Sequence, residues 1–200
     1  DHRHQIARSS VHNASAVPLS ETDQQELSPT WPEELGTIHL PSRDSIWNIS
    51  CIVYNTRNDK MQAQVILPAI RQANLKLSNL DHLTPQTPVC FPILPRMATL
   101  VPPQCRVSLF HSSDLSTAYA RFNELKNFLP PKGSSLKLLA LWDHRKGLRF
   151  HVLTGPSFDS PDQAEKTKEN LPSHLQENAR ILDWTGNTTR PVCFSAVDSL

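Results

Sequence analysis

The sequence is poor in glycine, with 5 in 200 residues, and aromatic side chains make up only 6%. Gly-x-Ser-x-Gly, phosphate-loop and His-Glu-x-x-His patterns are all missing, which removes the commonest sequence signatures of hydrolases, nucleotide-binding proteins and zinc proteases. Charge of one sign is also lacking. The net charge is +1 with both signs scattered, so neither nucleic acid nor an anionic membrane is favoured as a partner. No apolar run approaches the roughly 20 residues that span a bilayer. Two hundred residues still suffice for one domain or two small ones with a real core.

Proline is plentiful, at 17 residues. Pro85, Pro88, Pro92, Pro95, Pro102, Pro103, Pro130 and Pro131 fall in connections and read as stiff linkers between compact units. The four cysteines, Cys51, Cys90, Cys105 and Cys193, contain no Cys-x₂-Cys pair, so no zinc site is expected. They fit either two disulfides, which would place the chain in an oxidising compartment, or buried free thiols. Sequons begin at Asn13, Asn48 and Asn187. Asn48 falls in an expected strand, and all three read as chance matches. The chain opens at Asp1 rather than Met, which reads as a processed product with room for an earlier signal peptide or anchor.

Three segments are expected: an extended or disordered arm over 1–42, a β-α-β module over 43–102, and a larger unit over 103–200. In the arm, Trp31 is expected to dock on the body and Gly36–Leu40 to add an edge strand. The module begins with a β-branched, aromatic-rich strand over Ile46–Tyr54, followed by a helix from Asp59 that Pro68 ends or kinks. An extended segment over Val89–Leu94 closes it. Two echoes, Leu67-Pro68-x-x-x-Gln72-x-Asn74 with Leu171-Pro172-x-x-x-Gln176-x-Asn178, and Pro88–Phe91 with Pro191–Phe194, lie 104 and 103 residues apart. They suggest that the end of the chain copies the first module.

The larger unit reads as β-α-β-β-α-β from Cys105 to Trp184. Its first helix carries Leu115, Ala118, Tyr119, Phe122, Leu125 and Leu129 on one stripe. Asp143–Gly147 has hairpin composition, and Ser160-Pro161-x-Gln163 has the form of a capping box at the start of the second helix. Val107, Leu109, Tyr119, Phe122, Leu125, Leu139, Val152 and Ile181 fall on the apolar phase and are the expected core.

Arg149-Phe150-His151-Val152-Leu153-Thr154-Gly155-Pro156-Ser157-Phe158, followed by Ala164 in the next helix, resembles the sporulation-related repeat (SPOR) family of bacterial envelope domains. Phe150, Val152, Gly155, Pro156 and Ala164 match its second-half motif, with Ser157 inserted before Phe158. The first half departs from it, because Val107-Ser108-Leu109-Phe110 lacks the family's Gln and Gly. The resemblance, over about residues 104–185, implies an α+β, ferredoxin-like fold with a four-stranded antiparallel sheet backed by two helices. It also implies a non-catalytic periplasmic or secreted protein. Its partners would be other envelope proteins, a further copy of itself or peptidoglycan glycan strands. A scaffold role in an envelope-spanning secretion or surface assembly is the leading reading, and glycan binding is the alternative. In a ferredoxin-like sheet the last strand lies beside the first, which would bring Cys193 near Cys105, while the echo pairs Cys51 with Cys90.

Strand alternation then assigns a binding face. With Val107, Leu109, Phe150 and Val152 turned to the helices, Arg106, Ser108, Phe110, His151 and Leu153 face the other way. These five form the expected ligand or partner surface, on which Phe110 stacks on a sugar and Arg106, Ser108 and His151 supply hydrogen bonds. His2 and His4 read as solvated, and His111 and His144 flank strands without a carboxylate or thiol at metal spacing. Neither cofactor nor metal nor catalytic residue is expected. RNA binding on such a sheet needs a basic, aromatic strand motif that the chain lacks.

Overall fold

A computed structural model describes residues 30–41, 45–56, 59–77, 79–80, 83–129, 135–186 and 189–195; the expected arm up to residue 29, with His2, His4 and Asn13, and the Asn187 sequon lie outside them. Strand β1 (Glu34–His39) opens the described chain. Ile46–Val53, expected as a strand, is helix α1. Ser45 caps it by accepting the Asn48 amide on its Oγ at 3.1 Å. Ile46, Ile49 and Val53 then fall on one helical face and are buried, so the 3.6-residue period outweighs the strand preference of the β-branched residues. Asn48 lies on the exposed side of this helix.

Helix α2 (Lys60–Ala73) begins where the Asp59 carboxylate accepts the Met61 amide at 2.9 Å, and it continues through Pro68 instead of ending there. Pro68 is exposed, so the carbonyl it leaves unpaired lies on the wetter side of the helix while Ile66 and Ile70 bury the other. Strand β2 (Pro88–Pro92) pairs antiparallel with β1. The first unit is therefore β-α-α-β, and the expected β-α-β module is corrected in its first element and in the partner of its last. The Leu-Pro echo does not copy one local structure either: Leu67-Pro68 is inside a helix, whereas Leu171-Pro172 separates two.

A 3-10 turn at Pro95–Met97 leads into β3 (Ala98–Leu100) and β4 (Cys105–Ser112). Helix α3 (Leu115–Phe128) follows, capped by Asp114, which accepts the Thr117 amide at 2.7 Å. The expected stripe is buried at Leu115, Ala118, Tyr119, Phe122 and Leu125. Strands β5 (Lys137–Asp143) and β6 (Gly147–Phe158) form the expected hairpin, with Gly147 at φ +72°. Helices α4 (Pro161–Glu169) and α5 (Ser173–Gln176) precede β7 (Arg180–Asp183) and β8 (Val192–Phe194). The capping box is not formed: Ser160 makes no side-chain cap bond, and Gln163 accepts the Asp159 amide instead, at 3.3 Å. Gly155-Pro156 is not a terminal turn. Strand β6 continues past it to Phe158, and the pairing moves from Val107↔Thr154 to Cys105↔Phe158, so the two residues are taken up in a bulge.

The protein is thus α+β; among the described residues its antiparallel sheets have two and six strands, and the larger runs β3-β8-β5-β6-β4-β7. Six strands replace the expected four because β3 and β8 add to the β5 side, β8 pairing with both β3 and β5. One face of this sheet carries α3 and α4, with α1 and β1 packed into the same layer. A single apolar cluster runs from Ile38, Tyr54 and Phe91 to Val107, Phe122, Phe150 and Phe194, so both halves of the chain share one core. Gly36 sits where β1 meets α3. Its φ is +134°, and a Cβ there would lie 3.3 Å from the Leu115 Cβ. Trp31 docks as expected, with ring centroids 4.9 Å from Trp142 and 5.4 Å from Phe194.

The opposite face is covered as well. Val101, Leu139, Leu141, Leu153, Trp184 and Cys193 form a second buried cluster there. Leu139 is therefore core, as expected, but on the far side, and Ile181 is only half-buried. Trp184, directly after β7, covers this face, and its amide donates to the Gln104 carbonyl at 2.9 Å.

All four cysteines are free thiols, which corrects both expected disulfides. Strand β7 lies antiparallel beside β4, as expected of the last strand of the unit, but the chain beyond it does not return to Cys105. Cys193 is on β8, three strand spacings from β4, or roughly 14 Å across the sheet. Cys105 instead donates to the Asp183 carboxylate at 3.4 Å, and Cys90 to Glu34 at 2.8 Å.

Candidate functional site

A β-bulge decides which residues reach the far face of β4. Ser108 pairs with Leu153, but the next register pair is Phe110↔Val152, so Leu109 is the extra residue. Leu109 is buried in the main core and Phe110 packs against that same core, on the helix side. Alternation resumes one residue late. His111, rather than Phe110, then projects to the far face, directly opposite His151.

Of the five expected surface residues, the bulge turns one to the helices, and two that do face the far side are buried there. Phe110 is turned to the helices, Leu153 is fully buried in the far cluster, and Arg106 is only 2% exposed. Arg106 donates to the Gly155 carbonyl at a long 3.4 Å, while its Nε has no partner among the described residues. Ser108 and His151 are brought together as expected, with Ser108 Oγ 3.1 Å from His151 Nδ1.

The two imidazoles stack, with centroids 5.8 Å apart and planes 17° from parallel. They lie in a cleft of ≈ 500 Å³ that Ser108, Lys146, Arg149 and Arg180 also line, with Asp143 at one end and Trp184 as an apolar wall. Arg180 comes from the edge strand β7, Arg149 from β6, and Lys146 from the hairpin turn. Asp143 does not neutralise them through an ion pair; its Oδ1 accepts the backbone amides of Arg145 and Lys146 at 2.7 and 3.1 Å. Among the described residues the close ion pairs are Arg121–Glu124 on α3 and Lys168–Glu165 on α4, and neither involves a residue that lines this cleft.

The electrostatics follow from that convergence. Burial, then His111, Lys146, Arg149 and Arg180, push the His151 imidazolium down to about 4. Burial, followed by Arg180, Arg149 and Lys146, also holds His111 below the usual histidine range. Both rings are therefore neutral near pH 7.

Ser108 Oγ donates to the Phe110 carbonyl at 3.0 Å and lies 3.1 Å from His151 Nδ1, so in the tautomer with its proton on Nδ1 His151 donates to Ser108. Ser108 is buried, at 3% exposure, and among the described residues no hydrogen bond joins a carboxylate to the ring. The contact holds the His151 ring at its Nδ1 side. Among the described residues no group of three or more His, Cys, Asp or Glu could hold a metal ion.

His111, Lys146, Arg149 and Arg180 are the cleft residues that the sequence reading missed as a group. The cross-strand pairing of His111 with His151 depends on the bulge, and Arg180 arrives from a strand 69 positions later. No family model, curated protein or solved structure matches the chain.

Proposed function

We propose that the chain is a non-catalytic interaction module, with the four strands β5, β6, β4 and β7 and helices α3 and α4 as a ferredoxin-like, SPOR-like unit. Its role is that of a scaffold in a bacterial cell-envelope assembly, in the periplasm that the resemblance implies. The observation that carries the scaffold reading is the covered far face. Where the resemblance places a glycan, Leu139, Leu141, Leu153 and Trp184 are buried against one another, and Phe110, the aromatic meant to stack on sugar, faces the helices. The added strands supply something else: an edge. Val101 donates to Pro191 and Ser195 to Met97, so Met97, Thr99 and Val101 direct their backbone groups toward β8, and the Leu100 amide points away from it. Leu100 itself is 54% exposed. An extended segment of a partner satisfies such an edge by adding a strand.

The test pairs two measurements. Purified sacculi with stem peptides removed are sedimented with the protein, and the scaffold reading expects no saturable co-sedimentation. Cross-linking in envelope fractions is expected to give a discrete adduct that Leu100→Pro abolishes, because proline removes the outward amide and leaves the β8 ladder intact. Saturable binding to sacculi, insensitive to Leu100→Pro, selects the glycan alternative and ends the scaffold reading.

A further inference from the structure

We propose that the cleft over the His111–His151 pair binds a phosphate monoester, held by Lys146, Arg149 and Arg180. This goes beyond the scaffold reading and does not rest on it.

Charge is the first argument. Three full positive charges line one cleft against the single carboxylate of Asp143, whose Oδ1 already accepts two backbone amides. Clustered like charges that outnumber the carboxylate among them raise the free energy of the folded protein unless something neutralises them. With both histidines neutral, the surplus is two positive charges, which a phosphate monoester matches near pH 7 and a single carboxylate does not. Donor geometry is the second. Two arginines offer forked N–H pairs to an oxyanion, Lys146 offers a mobile ammonium, and the His151 ring is held in place by Ser108. Space is the third. A cleft of ≈ 500 Å³ exceeds what a bare phosphate occupies, and the remaining wall includes Leu141, Leu182 and Trp184. An ester with a flat or apolar body fills it better than the inorganic ion.

The experiment is a titration of the full chain with phenyl phosphate, with inorganic phosphate as a second probe, followed by amide and imidazole NMR shifts. Wild type is expected to show saturable shifts centred on His111, His151 and Arg149, and to bind phenyl phosphate more tightly than inorganic phosphate. Losing two charge-assisted contacts in Arg149→Ala/Arg180→Ala weakens binding at least about tenfold. Lys60→Ala, which removes a cation from the start of α2, leaves it unchanged. Thermal unfolding checks that each variant still folds, and Arg180→Ala alone, at an exposed edge position, stands in if the double variant does not. Absence of saturable shifts in wild type at millimolar ligand overturns the proposal. So does equal weakening in Lys60→Ala, or undiminished affinity without the arginines.

Discussion

Protonating His151 should destabilise the fold from within, and the size of the effect follows from where the ring sits. In the folded chain His151 is pushed down to about 4 from an ordinary value of 6.5. The groups facing it are His111 from β4, Lys146 from the turn, Arg149 from its own strand and Arg180 from β7, all positive or able to become so. Because the folded value lies below the unfolded one, the unfolded chain binds more protons between those limits. Stability is therefore complete above about pH 6.5 and falls as pH drops toward 4. Between pH 7.5 and pH 5 the loss comes to about 2 kcal/mol, an upper figure because part of the ring meets solvent. His111 adds to it in the same direction. The lowered carboxyls of Asp114 and Asp183 act at lower pH, since their stabilisation is lost only as pH falls through the carboxylate range. The comparison is urea unfolding of wild type and His151→Gln at pH 7.5 and 5.0, glutamine being able to donate to Ser108 without titrating. Wild type should lose about 2 kcal/mol more than the variant over that interval. Equal losses in the two proteins would refute the reasoning and mean that His151 is not desolvated among cations.

Arg106 is nearly buried with one long hydrogen bond, so Arg106→Met should leave stability unchanged or raise it by about 1–2 kcal/mol in urea unfolding; a loss above about 1 kcal/mol would reveal a paired role for the guanidinium. Trp184→Ala removes the lid of the far cluster and should cost about 3–5 kcal/mol, with new binding of an apolar fluorescent dye to the uncovered Leu139, Leu141 and Leu153. Burial pushes the Cys193 and Cys90 thiols up to about 12 and Cys105 to about 11, Glu34 and Asp183 adding to the last two. Mass spectrometry after alkylation at neutral pH should therefore show these three protected in the folded chain, and all four cysteines modified once it is unfolded without reductant.

Helix α3 was readable in the sequence because its stripe repeats over three turns, and the β5–β6 hairpin because Gly147 follows a polar turn. Helix α1 was not. Eight residues rich in isoleucine satisfy a strand by composition and a helix by spacing, and only the core beneath Ile46, Ile49 and Val53 decides between them. The covering of the far face did leave a trace: Leu138-Leu139-Ala140-Leu141-Trp142 shows no polar alternation, as a strand buried on both sides must not. Leu138, Ala140 and Trp142 pack toward the helices, Leu139 and Leu141 toward Trp184.

The candidate site was least legible because it turns on one extra residue. Strict alternation along β4 sends Phe110 to the far face and His111 to the helices. The bulge at Leu109 exchanges them. The exchange packs a half-buried Phe110 beside the buried Leu109 on the helix side, a gain below the roughly 1.5–3 kcal/mol of a fully buried side chain, where an unbulged strand would turn only alternate residues there. The same exchange removes the only aromatic that β4 offers for stacking on a sugar and puts an imidazole across from His151, inside reach of Lys146, Arg149 and Arg180. Core packing thus selects the bulge, and the bulge in turn converts an expected aromatic platform into a basic cleft. The hydrophobic gain on one side of β4 and the charge cluster on the other are two consequences of the same inserted residue.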